Sequence, residues 1–161
     1  MKLSTKGRYA VMAMVDLASN SNGRPVSLAD IAERQDISLS YLEQLFGKLR
    51  RGGLVRSVRG PGGGYMLSHS VDQTRISDIV VAVDEPLRAT RCPPGSSLGC
   101  GKNHSRCLTH DLWEELGNQI HRFLSAVTLA DVIGKRVLGV SKFTLPAPVA
   151  EPVPAPEQVI A

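Results

Sequence analysis

Three cysteines and one histidine, Cys92, Cys100, Cys107 and His110, fall in one short stretch, and the chain holds no other cysteine. Their spacing is C-x7-C-x6-C-x2-H. Three soft thiolates and an imidazole fill the four positions that a zinc ion or an iron–sulfur cluster asks for. Structural zinc sites usually pair their ligands at x2 to x4, so the wide gaps make zinc the less natural occupant. The histidine is ambiguous by spacing alone. His104 precedes Cys107 by the same gap at which His110 follows it, so both stay open. His69 and His121 lie outside the stretch and read as ordinary surface or packing residues. An odd number of cysteines confined to one segment is a poor disulfide framework but a plausible ligand set in a reducing compartment.

The elements on either side must position such a site. Residues 6–20 carry Ala10, Ala13, Met14, Leu17 and Ala18 at helical spacing. Asn20, Asn22, Gly23 and Pro25 end that helix. Ser27 with Asp30 forms an S-x-x-D capping box for a second, short helix with Leu28, Ile31 and Ala32 on its apolar side. Ser38 caps a third helix, whose stripe is Leu39, Leu42, Leu45, Phe46 and Leu49 and whose stop is Gly52-Gly53. Two short strands follow, Leu54–Val58 and Tyr65–Leu67, joined by Arg59-Gly60-Pro61-Gly62-Gly63-Gly64. Helix, helix, turn, helix and hairpin is the order of a winged helix-turn-helix. The fold class expected is mostly α with a small β wing, extended by a long dimerisation helix.

Beyond the wing, Ile76, Ile79, Val80 and Val83 mark a linking helix ending near Asp84-Glu85-Pro86. Thr109–Val127 reads as a helix of about 28 Å at 1.5 Å per residue. Its stripe is Leu112, Leu116, Ile120, Phe123, Leu124 and Val127. A chain of 161 residues offers little to cover so long a stripe, so pairing with a second copy is the natural solution. Thr128 and Asp131 suggest a capping box on one more short helix. The division expected is a DNA-binding domain over 1–70, a linking helix over 71–90, a ligand loop over 91–110, and the dimerisation helix with its short follower over 109–137. Residues 144–161, with five prolines among alanines and valines, read as a disordered tail.

In this architecture the third helix lies in the major groove. Ser38, Ser40 and Tyr41 bring hydroxyl donors to its positive end, suited to phosphates. Gln44 can pair bidentately with adenine, whereas Lys48 and Arg51 suit phosphates. Glu43 is unfavourable against phosphate unless it accepts from a cytosine amino group, which makes it a candidate discriminator between sites. Arg59, at the wing tip, is placed to enter a narrow minor groove. Charge follows the same division. Residues 1–69 carry ten Lys and Arg against five Asp and Glu, and residues 70–161 carry nine against ten. A basic excess on the reading half is what phosphate binding favours. Gly62-Gly63-Gly64 joins strands rather than opening a helix and is followed by no Lys-Ser/Thr, so it is no nucleotide loop. No apolar run reaches the roughly 18 residues of a membrane span. Asp16 interrupts the apolar part of the first helix and no small-residue cleavage site follows, so a cytoplasmic location is expected.

The segments LSTKGRYAV, LADIAERQDISLSYLEQLFGKLR, GLVRSVRGPGGGY and CLTHDLW closely resemble the IscR family of bacterial iron–sulfur cluster regulators. The resemblance runs over residues 1–135 and holds for recognition helix, wing and ligand loop in order. It implies a homodimeric winged-helix transcription factor on double-stranded promoter DNA, with one [2Fe–2S] cluster per subunit received from the cluster-assembly machinery. It further implies that Cys92, Cys100 and Cys107 are the thiolate ligands and His110 the nitrogen ligand. The cluster-bound form would repress cluster-assembly genes, and the apo form would still bind and activate a second promoter class, with Glu43 dividing the two. This chain departs from the family in a longer ligand loop, with Pro93-Pro94 and Ser96-Ser97, and in its tail, to which nothing carries over.

Three other readings compete. One is a nitric oxide or redox sensor of the same fold. Another is a winged-helix repressor with a structural zinc. A third is an iron–sulfur carrier or redox enzyme, which lacks support because no nucleotide site, catalytic dyad or flavin motif is present.

Overall fold

The computed structural model describes residues 5–85, 99 and 105–138. Helix α1 (Thr5–Asn20) turns Ala10, Ala13, Met14 and Leu17 fully inward, the stripe its sequence predicts. Helix α2 (Leu28–Gln35) starts at Ser27, whose Oγ accepts the Asp30 N–H at 3.1 Å. Only this half of the expected capping box forms among the described residues. Asp36 ends α2 in the left-handed region, φ 51°, and opens the turn into α3 (Leu39–Arg51).

Leu42, Leu45, Phe46 and Leu49 of α3 are buried, but Leu39 is 43% exposed, a correction to the expected stripe. Side chains in a helix lean toward its N-terminus, so one at the first position projects past the helix instead of onto the core. Ser38 stands at the N-cap, yet its hydroxyl bonds no backbone N–H. Gly53, at φ 74°, turns the chain out of the helix.

Strands β1 (Val55–Val58) and β2 (Gly64–Leu67) pair antiparallel, with Val55 opposite Leu67 and Val58 opposite Gly64. The hairpin is tied to the segment before α2. Val26 and Tyr65 exchange backbone bonds of 3.0 and 2.8 Å. That approach explains Gly64, where a Cβ would collide with the Val26 carbonyl. Phe46 then meets Tyr65 edge to face at 4.9 Å, seating the wing on α3.

Helix α4 (Ile76–Ala82) buries Ile76, Ile79 and Val80, and Val83 follows them inward. Helix α5 (His110–Ala126) begins after Thr109, whose side chain caps no backbone N–H, and ends at the buried Val127. Helix α6 (Leu129–Ile133) has the full capping box expected of Thr128 and Asp131. The core joins α1, α3 and α4 and is closed by Val127 and Leu129. Backbone bonds staple the end of α5 onto the start of α4, Ile76 N–H to Val127 O at 3.0 Å and Leu129 N–H to Thr74 O at 2.9 Å.

The rest of α5 is covered far less. Ile120 and Leu124 are half-buried, whereas Leu112, Trp113, Leu116 and Phe123 are exposed. Among the described residues the helix is bonded to the core at its C-terminal end, while His110 at its head and Gly117 are also buried. Among the described residues no helix is long and apolar enough to cross a membrane.

Candidate functional site

The DNA-reading residues expected from the sequence gather on α3 and the wing. Ser38, Ser40, Glu43, Gln44, Arg51 and Arg59 are exposed. Ser38, Ser40, Glu43, Gln44 and Arg59 make no side-chain hydrogen bond or ion pair among the described residues. Glu43 therefore carries an unneutralised carboxylate on the face that would meet DNA. Nothing within the fold accounts for it.

Tyr41 and Lys48 differ from the rest of the set. Tyr41 is half-buried and sets its ring edge-on to Tyr9 of α1 at 6.1 Å, so it belongs partly to the packing. Lys48 donates from Nζ to Asp84 Oδ2 at 2.7 Å. Its partner lies past the end of α4, and no local sequence pattern links the two. Arg59 begins the turn between the strands, where β1 ends at Val58.

A second interaction missed in the sequence fixes the helix pair below this face. Asp16 is buried, and Arg34 grips it through Nη2 at 2.6 Å and Nε at 3.1 and 3.2 Å, while Gln35 donates at 2.7 Å. Burial pushes the Asp16 carboxyl up, but the bonds from Arg34 and Gln35 and the charge of Arg34 outweigh it and hold it below the ordinary range. The residue that breaks the apolar run of α1 is thus the anchor of α2.

Of the expected ligand set, Cys92 and Cys100 lie outside the described residues, as does His104. Cys107 and His110 are described and share one turn at the head of α5. The His110 N–H donates to the Cys107 carbonyl at 3.0 Å, and the Cys107 thiol lies 3.6 Å from the Thr109 hydroxyl. Cys107 is exposed, whereas His110 is only 5% exposed. Glu114, one turn on, brings Oε2 within 3.5 Å of His110 Nε2. Donor atoms of His110, Asp111 and Glu114 all fall within 4.8 Å of one another. Carboxylates favour hard cations, whereas a thiol and an imidazole suit softer metals.

Known proteins show the family to which the chain belongs. The profile of the Rrf2 family, described as an iron-dependent transcriptional regulator, matches residues 3–135. The HTH-type transcriptional regulator IscR of Cronobacter sakazakii is 52% identical over 142 residues, which cover 88% of this chain and 86% of that one. IscR of Yersinia pestis is 52% identical over 136 residues, 84% of this chain and 81% of its own. Among solved structures, T. potens IscR superposes with a TM-score of 0.68 at 39% identity, covering 84% and 88% of the two chains. CymR, the global cysteine regulator of B. subtilis, superposes at 0.69 with 32% identity over 84% and 98%. The winged-helix fold expected of the sequence is the fold of these relatives, and their work is regulation rather than catalysis. This chain belongs to the Rrf2 family and is a DNA-binding transcriptional regulator.

Proposed function

We propose that the protein senses an iron–sulfur cluster and changes which promoters it occupies accordingly. The observation that carries this reading is the placement of Cys107 and His110 on one turn at the head of α5. Ligand occupancy and the unpaired apolar helix then share a single element. Cys107 and His110, with Cys92 and Cys100, would hold a [2Fe–2S] cluster, and the donor set fits one: three thiolates and an imidazole, the last with Glu114 beside it to orient the ring. When bound, the cluster supplies a labile group whose presence reports iron–sulfur supply, since a histidine ligand competes with protons and is readily displaced. The cluster-assembly machinery is the donor.

The chain's own residues do the rest. A second copy covers Leu112, Leu116 and Phe123 of α5, and the homodimer sets two recognition helices one helical turn of DNA apart. Ser38, Ser40, Tyr41, Lys48 and Arg51 position the protein on phosphates, Gln44 reads a base edge, and Arg59 enters the minor groove. Glu43, exposed and without a partner, penalises sites that offer it no amino donor. The cluster-bound form represses cluster-assembly genes, and the apo form keeps a second promoter class that it activates. This work belongs in the cytoplasm.

The test is the visible spectrum of protein purified without oxygen, alongside Cys92→Ala, Cys100→Ala, Cys107→Ala and His110→Ala. Broad visible bands in the wild type, lost in the cysteine variants with one class of DNA binding, are expected. A protein still colourless after anaerobic reconstitution would remove the sensor and leave the regulator.

A further inference from the structure

Asp84 follows α4 in left-handed backbone, φ 57°, and reaches across to the recognition helix. Its carboxylate accepts the 2.7 Å bond from Lys48 Nζ. That bond and the charge of Lys48, with weaker help from Lys6 and Arg51, hold the carboxyl below its ordinary range. One cation of α3 thus holds an exposed anion directly, and two further positive charges act on it more weakly. The ends of α3 and α4 are closely packed there, since a Cβ on Gly52 would lie 3.0 Å from that of Ala82. A lysine of the recognition helix holding an exposed oxyanion is the contact that a DNA phosphate makes there.

We propose that Asp84 is an internal phosphate surrogate that occupies Lys48 until DNA displaces it, and so sets the affinity of α3 for duplex DNA. The proposal rests on α3 being the DNA-reading helix. Asp84 is 74% exposed, so the pair is solvated and weak enough for a phosphate to replace it. The cost appears in two readouts. A lysine already neutralised releases fewer counterions on binding, and an aspartate left beside a phosphate repels it.

Asp84→Asn is the informative variant, because asparagine keeps the shape and tolerates left-handed backbone. Binding would be followed by fluorescence anisotropy over a range of NaCl concentrations. The probe is a duplex of about 30 base pairs, long enough for two half-sites, selected by the wild-type protein from a randomised library. We expect binding to tighten about three- to tenfold and the salt slope to steepen by about 0.9. In a Lys48→Gln background the same change should alter affinity by less than about twofold. No gain in the wild type, or an equal gain in both backgrounds, would overturn the proposal and leave only a diffuse charge effect. Gln44→Ala on the same duplex reports on α3 itself. If Gln44→Ala weakens binding while Asp84→Asn is inert, the surrogate alone fails. If Gln44→Ala and Lys48→Gln both leave binding unaltered, the reading of α3 fails and the surrogate with it. Circular dichroism of each variant separates either result from misfolding.

Discussion

In α3 the residues Leu42, Leu45, Phe46 and Leu49 are exposed by 2% or less, whereas in α5 Leu112, Leu116 and Phe123 stand at 62%, 37% and 37%. Both helices repeat apolar residues at the same helical period. The first spends its stripe inside its own chain, packed beneath α1 and α4 and capped by the wing. The second is bonded into the core where Val127 and Leu129 enter it, and it leaves Leu112, Leu116 and Phe123 open to solvent. Periodicity therefore predicts that a face will be buried without saying in which molecule. The reading module covers its own stripe, and among the described residues α5 leaves much of its stripe uncovered.

The largest effect that would sharpen this contrast is on the module side. Phe46 is fully buried and bears the wing through Tyr65, so Phe46→Ala leaves a cavity at the junction of α3 and β2. We expect a loss of about 3–5 kcal/mol in urea unfolding. A loss below about 1 kcal/mol would mean that the core around α3 collapses freely, which rigid presentation of a recognition helix does not permit.

The contrast would break on the other side if α5 behaved as a core helix. Leu116→Glu with Phe123→Glu keeps strong helix formers and removes two large apolar groups from the exposed stripe. We expect stability of the module to change by less than about 1 kcal/mol, as surface substitutions do. Sedimentation should show the dimer dissociating at least about a hundredfold more readily, from about 1.5–3 kcal/mol for each side chain no longer buried. A cooperative unfolding defect with unaltered association would place the stripe inside the monomer.

Much of this organisation was legible along the chain because its determinants are local. Ser27, Thr128, Gly53 and Asp36 mark ends of helices within a residue or two of where the sequence puts them, since caps and turns involve neighbours in sequence. The exposed polar face of α3 was legible for the same reason, as the residues left over once its stripe is assigned. What escaped reading is non-local. Asp16 meets Arg34 eighteen positions away, and Lys48 meets Asp84 thirty-six away, with no pattern announcing either pair. Leu39 escaped differently: its period is right, but the helix begins too late to carry it inside. From spacing the proposed ligands read only as a cluster of soft donors, and the preference for His110 over His104 came from resemblance.

Asp16 also yields the smallest prediction, and it separates the two regions by pH. A carboxyl held below its unfolded value stabilises the fold wherever the unfolded chain would be ionised, that is above 3.8, and the contribution disappears as pH falls through the folded value. The Arg34–Asp16 pair joins α1 to α2 and lies wholly within the reading module. Arg34 is 38% exposed, so water screens its side of the pair and the contribution is set at about 1–2 kcal/mol. Asp16→Asn should remove that amount at neutral pH and flatten the acid limb of stability below pH 3.8. The same variant should leave self-association at neutral pH untouched, because among the described residues the hydrogen-bond partners of Asp16 lie on α1 and α2 and none on α5. An acid limb of unchanged steepness would show that Arg34 and Gln35 hold the carboxylate no better than water does. Weakened association would show that packing of the reading module and pairing of α5 are one cooperative event rather than two.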